Sequence, residues 1–281
     1  MQTMQTPSLL STSYARVGGI YLPNALLKLL RVYVVVIVDM GSDTLPLIEL
    51  NIVEDFEAIL NPEGYFSICG FGSLLSERSA RSTFPELRNF RAAILRDFRR
   101  ISAHTSAVFY DRGIANVDTK EISSLSVEPC PGEHLIVTVF ELKKSEVASF
   151  MAREPEFRYV AVVPEGFDGI PFPYPAALCA SYGNDEEFFR KKCKGSHEIY
   201  YQYFGRLNIY KVFREDILPC RVYFRHCILS AKSLSEAAYD NFLEHTFLAD
   251  RKTTLREYLN GAGSGIMEEK PPESVTGRYD G

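Results

Sequence analysis

Strand candidates crowd the middle of this chain and helix candidates its last third, and this grouping limits the fold more than any other feature. Short runs rich in β-branched and aromatic residues predict strands between residues 65 and 163, whereas helices predominate after residue 184. Regular alternation would instead predict a doubly wound parallel sheet, so the grouping predicts an α+β fold. The strand candidates are residues 65–71, 90–101, 123–128, 135–142 and 159–163, and the helix candidates are 74–83, 143–152, 185–194 and 234–247.

Proline and glycine mark the connections between these segments. Residues 129–132 form a predicted tight turn that joins two strand candidates into a hairpin. Residues 164–184 are rich in proline and glycine and predict a long loop. The candidate at 135–142 is apolar on both faces, which is typical of a strand buried on both sides. Together these features predict a small mixed β-barrel, closed or nearly closed, over residues 65–163, with flanking helices.

The two ends of the chain differ in composition from its middle. We predict an N-terminal leader and extension at residues 1–60, a domain with a C-terminal helical extension at 61–260, and a flexible tail at 261–281. The first acidic residue is Asp39, and the hydroxyl residues before it are compatible with an organelle transit peptide or with an irrelevant leader. The protein is therefore predicted to be cytoplasmic, with import into a plastid as the alternative.

Charge and hydropathy argue against two classes of partner. The formal net charge of −5 provides no basic field, so nucleic acid is not an expected partner. The apolar run at residues 32–38 is shorter than the ~18 residues that a membrane span needs, and its β-branched residues predict a buried strand. The oligomeric state stays open.

The cysteines are scattered along the chain without a CxxC pair, which predicts reduced thiols in an intracellular protein. Cysteine and histidine are also zinc ligands and, as a pair, can form a hydrolase site. Their spacings here match no standard zinc site, so no zinc site is predicted. The zinc-capable residues are Cys193, His197, Cys220, His226 and Cys227.

A glycine-rich turn at residues 70–75 lies between a predicted strand and a predicted helix. Its glycines let the backbone approach a ligand closely, and a helix start offers unpaired N–H groups and the positive end of a dipole. The turn could therefore hold an anion or an oxyanion. The simpler interpretation is a strand–turn–helix connection with Ser73 as the helix N-cap.

Two groups of charged residues are candidates for a site. Glu154 lies where a predicted helix ends and a predicted strand begins, and a partly buried carboxylate there could act as a base. The alternative is a solvated loop charge. Arg96, Arg99 and Arg100 form a basic cluster that is more typical of a solvated face than of a site.

Four motifs in this order resemble the gamma-glutamylcyclotransferase-like superfamily, which includes glutathione-specific cyclotransferases and avirulence-induced-gene-like plant proteins. Residues 68–75 (ICGFGSLL) resemble the family's aromatic-x-Tyr-Gly-Ser-Leu motif, and residues 97–101 (DFRRI) resemble its basic segment. Residues 139–142 (VFEL), followed by Arg153 and Glu154, resemble its aromatic-Glu-Leu and Arg-Glu motifs. Residues 219–224 (PCRVYF) resemble its tyrosine-aromatic pair near a proline. The resemblance covers roughly residues 65–230.

This resemblance implies an enzyme that releases 5-oxoproline from a small gamma-glutamyl compound. Glu154 matches the family's catalytic glutamate and would act as general acid and base without a metal or cofactor. The substrate-binding residues that the resemblance implies are Phe71, Gly72, Ser73, Leu74 and Tyr223.

The chain also departs from the family pattern. Phe71 stands where the family usually has tyrosine, and Glu156 lies close enough in sequence to replace Glu154 as the base. The loop at 164–184 and the helices beyond 230 are additions. A second hypothesis is therefore a binding or regulatory protein with the cyclotransferase fold but without turnover. Glutathione, a gamma-glutamyl amino acid and a gamma-glutamyl amine all stay open as substrates.

Overall fold

The computed structural model describes residues 14–17, 20–23 and 47–279. The chain divides into a unit at residues 1–47 and a larger unit at residues 48–281. In the first unit, β1 (Tyr14–Val17) and β2 (Ile20–Pro23) pair antiparallel. The predicted strand at 32–38 and most of the predicted leader lie outside the described residues. The domain boundaries proposed from the sequence stay a prediction.

The larger unit is built on one mixed sheet of eight strands. Its order is β10-β5-β6-β4-β8-β7-β3, and β9 pairs with β6 beside this path. Strand β8 pairs parallel with β4, β9 with β6 and β10 with β5, and β6 and β8 share one parallel bridge. The other pairs, including β7 with β8, are antiparallel. The strands are β3 (Ile48–Glu49), β4 (Tyr65–Gly70), β5 (Arg88–Thr105), β6 (Glu121–Lys143), β7 (Arg158–Val162), β8 (Ala176–Ala180), β9 (Leu218–Pro219) and β10 (Thr246–Leu248).

The α+β class is confirmed, but the predicted barrel is wrong because the sheet is not closed. Its two end strands, β10 and β3, do not pair with each other within the described residues. They contain three and two residues, so each edge offers too few backbone groups for a closing ladder. Val127 of β6 and Ala180 of β8 form one further bridge beside this path.

The predicted hairpin at residues 129–132 is also wrong, because β6 continues through these residues as one strand. The pairing with β5 passes from Arg96↔His134 to Phe98↔Pro129, so the extra residues of β6 form a bulge opposite Asp97. The backbone N–H of Gly132 donates to Asp97 Oδ1 at 2.9 Å. Both Asp97 (φ 61°) and Gly132 (φ 85°) have left-handed backbone conformations. Residues that are typical of a turn therefore form a bulge here.

The predicted loop at residues 164–184 contains β8, which lies between β4 and β7 inside the sheet. Its side chains are small or apolar and mostly buried. The strand pairs parallel with β4 from Ser67↔Ala176 to Cys69↔Leu178. The register places the end of β8 beside the end of β4, where the glycine-rich turn begins.

The helices are short except for those at residues 221–234 and 236–244. Five helices are capped by side chains, those of Ser76, Asn184, Ser196, Ser235 and Thr254. None of the described helices is long and apolar enough to cross a membrane. The α-helices are α1 (Glu77–Thr83), α2 (Ala107–Asp111), α3 (Val147–Arg153), α4 (Asp185–Lys191), α5 (His197–Tyr203), α6 (Arg221–Leu234), α7 (Glu236–Glu244), α8 (Leu255–Leu259) and α9 (Thr276–Tyr279).

An aromatic core holds α3 against one face of the sheet. Phe66 of β4 and Phe150 of α3 are fully buried, and their ring centroids lie 6.0 Å apart. Tyr159 of β7 packs on Phe150 at 5.3 Å, and its hydroxyl donates to the backbone oxygen of Glu154 at 2.6 Å. Burying each such ring contributes roughly 1.5–3 kcal/mol. The core therefore fixes the C-terminal end of α3, where Glu154 lies.

Candidate functional site

The turn after β4 is held by close backbone packing. A Cβ on Gly70 would lie 2.7 Å from Thr138 Oγ1 and 2.8 Å from Leu74 Cβ, so only glycine fits there without a shift. The Thr138 hydroxyl donates to the carbonyl of Leu74 at 2.9 Å. A 3-10 turn at Ser73–Leu75 follows, and α1 then begins after Ser76. Ser76, and not Ser73, is thus the N-cap of the helix.

Gly72 faces helix α6. A Cβ on Gly72 would lie 3.3 Å from the hydroxyl oxygen of Tyr223 and 3.6 Å from Cys227 Sγ. Tyr223 and Cys227 are one helical turn apart on α6, so both side chains point to the turn. The backbone N–H of Ser73 and the side chain of Tyr223 lower the pKa of the Cys227 thiol, but burial outweighs them and raises it to about 12. This thiol therefore stays protonated and is not a nucleophile.

Phe71 contributes its backbone to the site. Its side chain is only 8% exposed and packs in the core. Its carbonyl oxygen accepts a hydrogen bond of 2.7 Å from Nε of Arg100, a fully buried residue of β5. Within the described residues no hydrogen bond is found from the amide of Gly72, which follows in the same peptide unit. The predicted solvated arginine cluster is thus wrong for Arg100.

Glu154 is the C-cap of α3, and it lies in a site that favours its neutral form. The residue is partly exposed, yet burial of its carboxyl group raises its pKa to about 8, and the neighbouring Glu156 raises it further. Arg153, Arg278 and Lys192 act in the opposite direction. A carboxyl group with this pKa can both accept and donate a proton near neutral pH.

Glu156 has a different environment although it lies only two residues away. It is 6% exposed, and its side chain accepts a hydrogen bond from the hydroxyl of Ser106 at the end of β5. Burial raises its pKa, while Ser106, the Glu156 backbone and Lys192 lower it. Glu156 is therefore buried and already hydrogen-bonded, whereas Glu154 is partly open.

The turn, α6 and the end of α3 approach one another. Burial and Cys227 raise the pKa of Tyr223 most, and Glu154 contributes the largest carboxylate effect. Glu154 therefore lies within electrostatic range of the tyrosine whose hydroxyl faces Gly72. These interactions relate Gly72, Tyr223 and Glu154, three of the predicted site residues, to one another. Phe71 contributes its backbone, and Leu74 packs partly on the aromatic core.

Sequence reasoning missed several residues around this site. Lys192, next to α4, has its pKa lowered by burial, and its ammonium lies 4.8 Å from the centre of the Tyr159 ring. Arg278 of α9 donates to the hydroxyls of Ser82 and Thr83 at the end of α1, at 2.8 and 2.7 Å. Neither residue belongs to a motif near the turn, so no local signal could have identified them.

The zinc-capable residues do not converge. Within residues 47–279, no group of three or more histidine, cysteine, aspartate or glutamate side chains could hold a metal ion. His226 instead lies 3.1 Å from the hydroxyl of Ser79, and Cys220 donates to the carbonyl of Ile114. These residues have structural partners.

Comparisons with known proteins found similarity only among solved structures. No protein-family model matches the chain, and no curated protein matches it. An uncharacterized protein from Homo sapiens is 18% identical with a TM-score of 0.34, over 56% of this chain and 89% of that one. A protein from Arabidopsis thaliana is 11% identical with a TM-score of 0.33, over 50% and 89%. A gamma-glutamyl cyclotransferase is 16% identical with a TM-score of 0.34, over 55% and 89%, and these similarities identify no activity.

Proposed function

We propose that this chain releases 5-oxoproline from a small gamma-glutamyl compound, with Glu154 as general acid and base. One observation carries the proposal. Glu154, with a pKa raised to about 8, acts electrostatically on Tyr223, whose hydroxyl faces the Gly72 turn. A candidate proton-transfer group and the backbone turn thus both lie near the same tyrosine.

The chemistry needs proximity and two proton transfers. The α-ammonium of the substrate gives a proton to Glu154, and the freed amine attacks the γ-carbonyl carbon of the same molecule. The carbonyl oxygen becomes an oxyanion, which the N–H groups of the turn stabilise. Glu154 passes the first proton to the leaving nitrogen, and the bond between that nitrogen and the γ-carbon breaks as the carbonyl re-forms. Glu154 then takes the second proton from the attacking nitrogen and gives it to the released amine. The products are 5-oxoproline and the protonated amine, with no change of oxidation state.

The surroundings favour Glu154 over Glu156 as the base. Glu156 is closed off and accepts from Ser106, so a substrate amine would have to displace a buried hydrogen bond. Glu154 is partly open and its side chain has no hydrogen-bond partner among the described residues. A base must reach the proton that it removes, and this supports Glu154.

A second candidate is a binding or regulatory protein of the same fold without turnover. The observation in its favour is that a pKa of about 8 leaves Glu154 mostly protonated at neutral pH, which suits a hydrogen-bond donor. Phe71 also lacks the hydroxyl that the family usually has at this position. Both candidates bind a small gamma-glutamyl compound at the same residues.

The test is a panel of glutathione, gamma-glutamyl amino acids and gamma-glutamyl amines, with 5-oxoproline measured as the product. The expected result is release of 5-oxoproline from at least one of them. Binding of a panel member without release would support the second candidate. Absence of both binding and release would contradict both.

A further inference from the structure

Arg100 is a buried cation without a carboxylate partner among the described residues. Its side chain is 0% exposed. The guanidinium donates to the carbonyl of Phe71 at 2.7 Å, to Asn241 Oδ1 at 3.1 Å and to the carbonyl of Ile136 at 2.5 Å. All three acceptors are neutral. Burial lowers the pKa of Arg100 to about 9, and only the thiols of Cys69 and Cys227 act in the opposite direction.

Its neighbours show that the segment does not lack carboxylates in general. Arg99 pairs with Glu128 at 2.7 Å and Arg96 pairs with Glu165 at 2.6 Å. Burying a charge without a counter-ion is among the costliest arrangements in a folded protein, and groups held in this way are found at functional sites more often than elsewhere. Among the three arginines of this cluster, Arg100 is the one that is fully buried and has no carboxylate partner among the described residues.

The charge of Arg100 acts on the turn through the peptide that joins Phe71 to Gly72. The Phe71 carbonyl and the Gly72 N–H belong to one planar trans peptide, in which they point in opposite directions. A guanidinium that holds the carbonyl from behind therefore fixes the direction of the N–H. It also polarises the peptide, because hydrogen bonds in a chain strengthen one another.

We infer that Arg100 is a positioning residue that orients and polarises the Phe71–Gly72 peptide, so that the Gly72 amide binds the carboxylate or oxyanion of the ligand. Helix α7 in turn holds Arg100 in place. Asn241 accepts from Arg100 and from the amide of Ile136, and the ring of Phe242 lies 5.0 Å from the guanidinium carbon. Helix α7, which lies beyond residue 230, thus contacts the side of Arg100 that faces away from the turn. The kinetic part of this inference rests on the proposed function; the binding part does not.

The test compares three variants of the whole chain: Arg100→Met, Arg100→Lys and Arg99→Met. Arg99→Met is the matched control, because it removes the adjacent positive charge and an ion pair but no contact with the turn. The first readout is kcat and KM for 5-oxoproline release. The second is the movement of the Gly72 amide resonance in ¹⁵N-labelled protein on addition of 5-oxoproline, which carries a carboxylate.

We expect Arg100→Met to lower kcat by about 10- to 100-fold, below the full effect of deleting an oxyanion donor, and to abolish the Gly72 response. Arg100→Lys keeps the charge and should restore part of both. Arg99→Met should stay within about twofold of the wild type. Equal behaviour of the Arg100 and Arg99 variants would overturn the inference, because a role in stability alone would lower the folded fraction and not the kcat of folded protein.

Two further outcomes are decided by the same data. If Arg100→Met does not fold, Arg100→Lys is compared with Arg99→Met, and equal kcat and equal Gly72 shifts overturn the inference. If the wild type releases no 5-oxoproline from any substrate, the proposed function fails and the amide titration decides alone. A wild-type Gly72 shift that is lost in the Arg100 variant supports the inference, and no wild-type shift overturns it.

Discussion

The turn at residues 70–75 and the junction at residues 153–157 both lie near Tyr223, but they carry different ionisable groups. Behind the turn lies a buried guanidinium, Arg100, whose hydrogen-bond acceptors are all neutral. At the junction lie two carboxyl groups whose pKa values are raised mainly by burial. The turn is suited to an anion and the junction to a cation or a travelling proton.

This difference matches the two ends of a glutamyl group. Its carboxylate and its developing oxyanion are negative, whereas its α-ammonium is positive before the reaction begins. A site that is positive on one side and carboxyl-lined on the other would orient such a group without a metal ion. Each of the following experiments changes one residue of the turn, of the junction or of the tyrosine near both.

The largest expected effect comes from Glu154→Gln. Glutamine keeps the shape and the hydrogen-bonding ability of the side chain but cannot carry the proton. We expect kcat to fall by about 10²–10⁴-fold, the usual contribution of general acid–base catalysis, while substrate binding is retained. The measurement is 5-oxoproline formation under saturating substrate.

Glu156→Gln is the matched control for this variant. A glutamine can still accept the hydrogen bond of Ser106, so activity should stay near that of the wild type. Loss of activity in Glu156→Gln together with full activity in Glu154→Gln would move the base by two positions. Full activity in both would reject the mechanism.

The pH profile should show the ionisation of Glu154. Its pKa is raised to about 8, so below that pH the deprotonated fraction, which is the base, falls tenfold per pH unit. The value of kcat/KM should fall by the same factor on the acid side. A profile that stays flat down to pH 6 would show that the base titrates at a lower pH. It would contradict the role of Glu154, with its raised pKa, as that base.

The rigidity of the turn is tested by Gly70→Ala. The added methyl group would meet Thr138 and Leu74 at under 3 Å, and overpacking of this kind typically lowers the free energy of unfolding by about 1–3 kcal/mol. Urea denaturation measures this change. Gly277→Ala is the control, because a Cβ there meets nothing within 4 Å and should leave stability nearly unchanged.

The smallest expected effect is that of Tyr223→Phe, which removes the hydroxyl facing Gly72. A single hydrogen bond contributes about 0.5–1.5 kcal/mol, so kcat/KM should fall by roughly 2- to 10-fold. Tyr200→Phe is the control, because it removes a hydroxyl that donates to the carbonyl of Ile209 and not one that faces Gly72. The activity of this variant should not change. A loss of more than about 100-fold in Tyr223→Phe would make the tyrosine, and not Glu154, the main proton carrier.

The strand before the turn and the junction of α3 with β7 were predictable because their signals are local. Glycines after a strand, and a carboxylate between a helix and a strand, lie within a few residues of one another in the sequence. The strand predicted at 65–71 is confirmed as β4, and the helix predicted at 143–152 as a 3-10 turn followed by α3.

What the sequence could not predict depends on contacts between distant residues. Strand β8 is extended because it pairs parallel with β4, more than 100 residues earlier in the chain. The turn-forming residues at 129–132 become a bulge because β5 runs past them. Arg100 is buried because Asn241 and Phe242 cover it, and nothing near Arg100 in the sequence distinguishes it from Arg99.

The separation of Arg100 from Asn241 also has a consequence for the order of folding during synthesis. The two residues are 141 positions apart. At about 5–20 residues per second, a ribosome adds the helix that covers Arg100 roughly 7–28 s after it adds Arg100 itself. The β5–β6 pair can form in that interval, with the guanidinium hydrated in water. The peptide at Phe71 and Gly72 would therefore be among the last parts of the domain to become rigid.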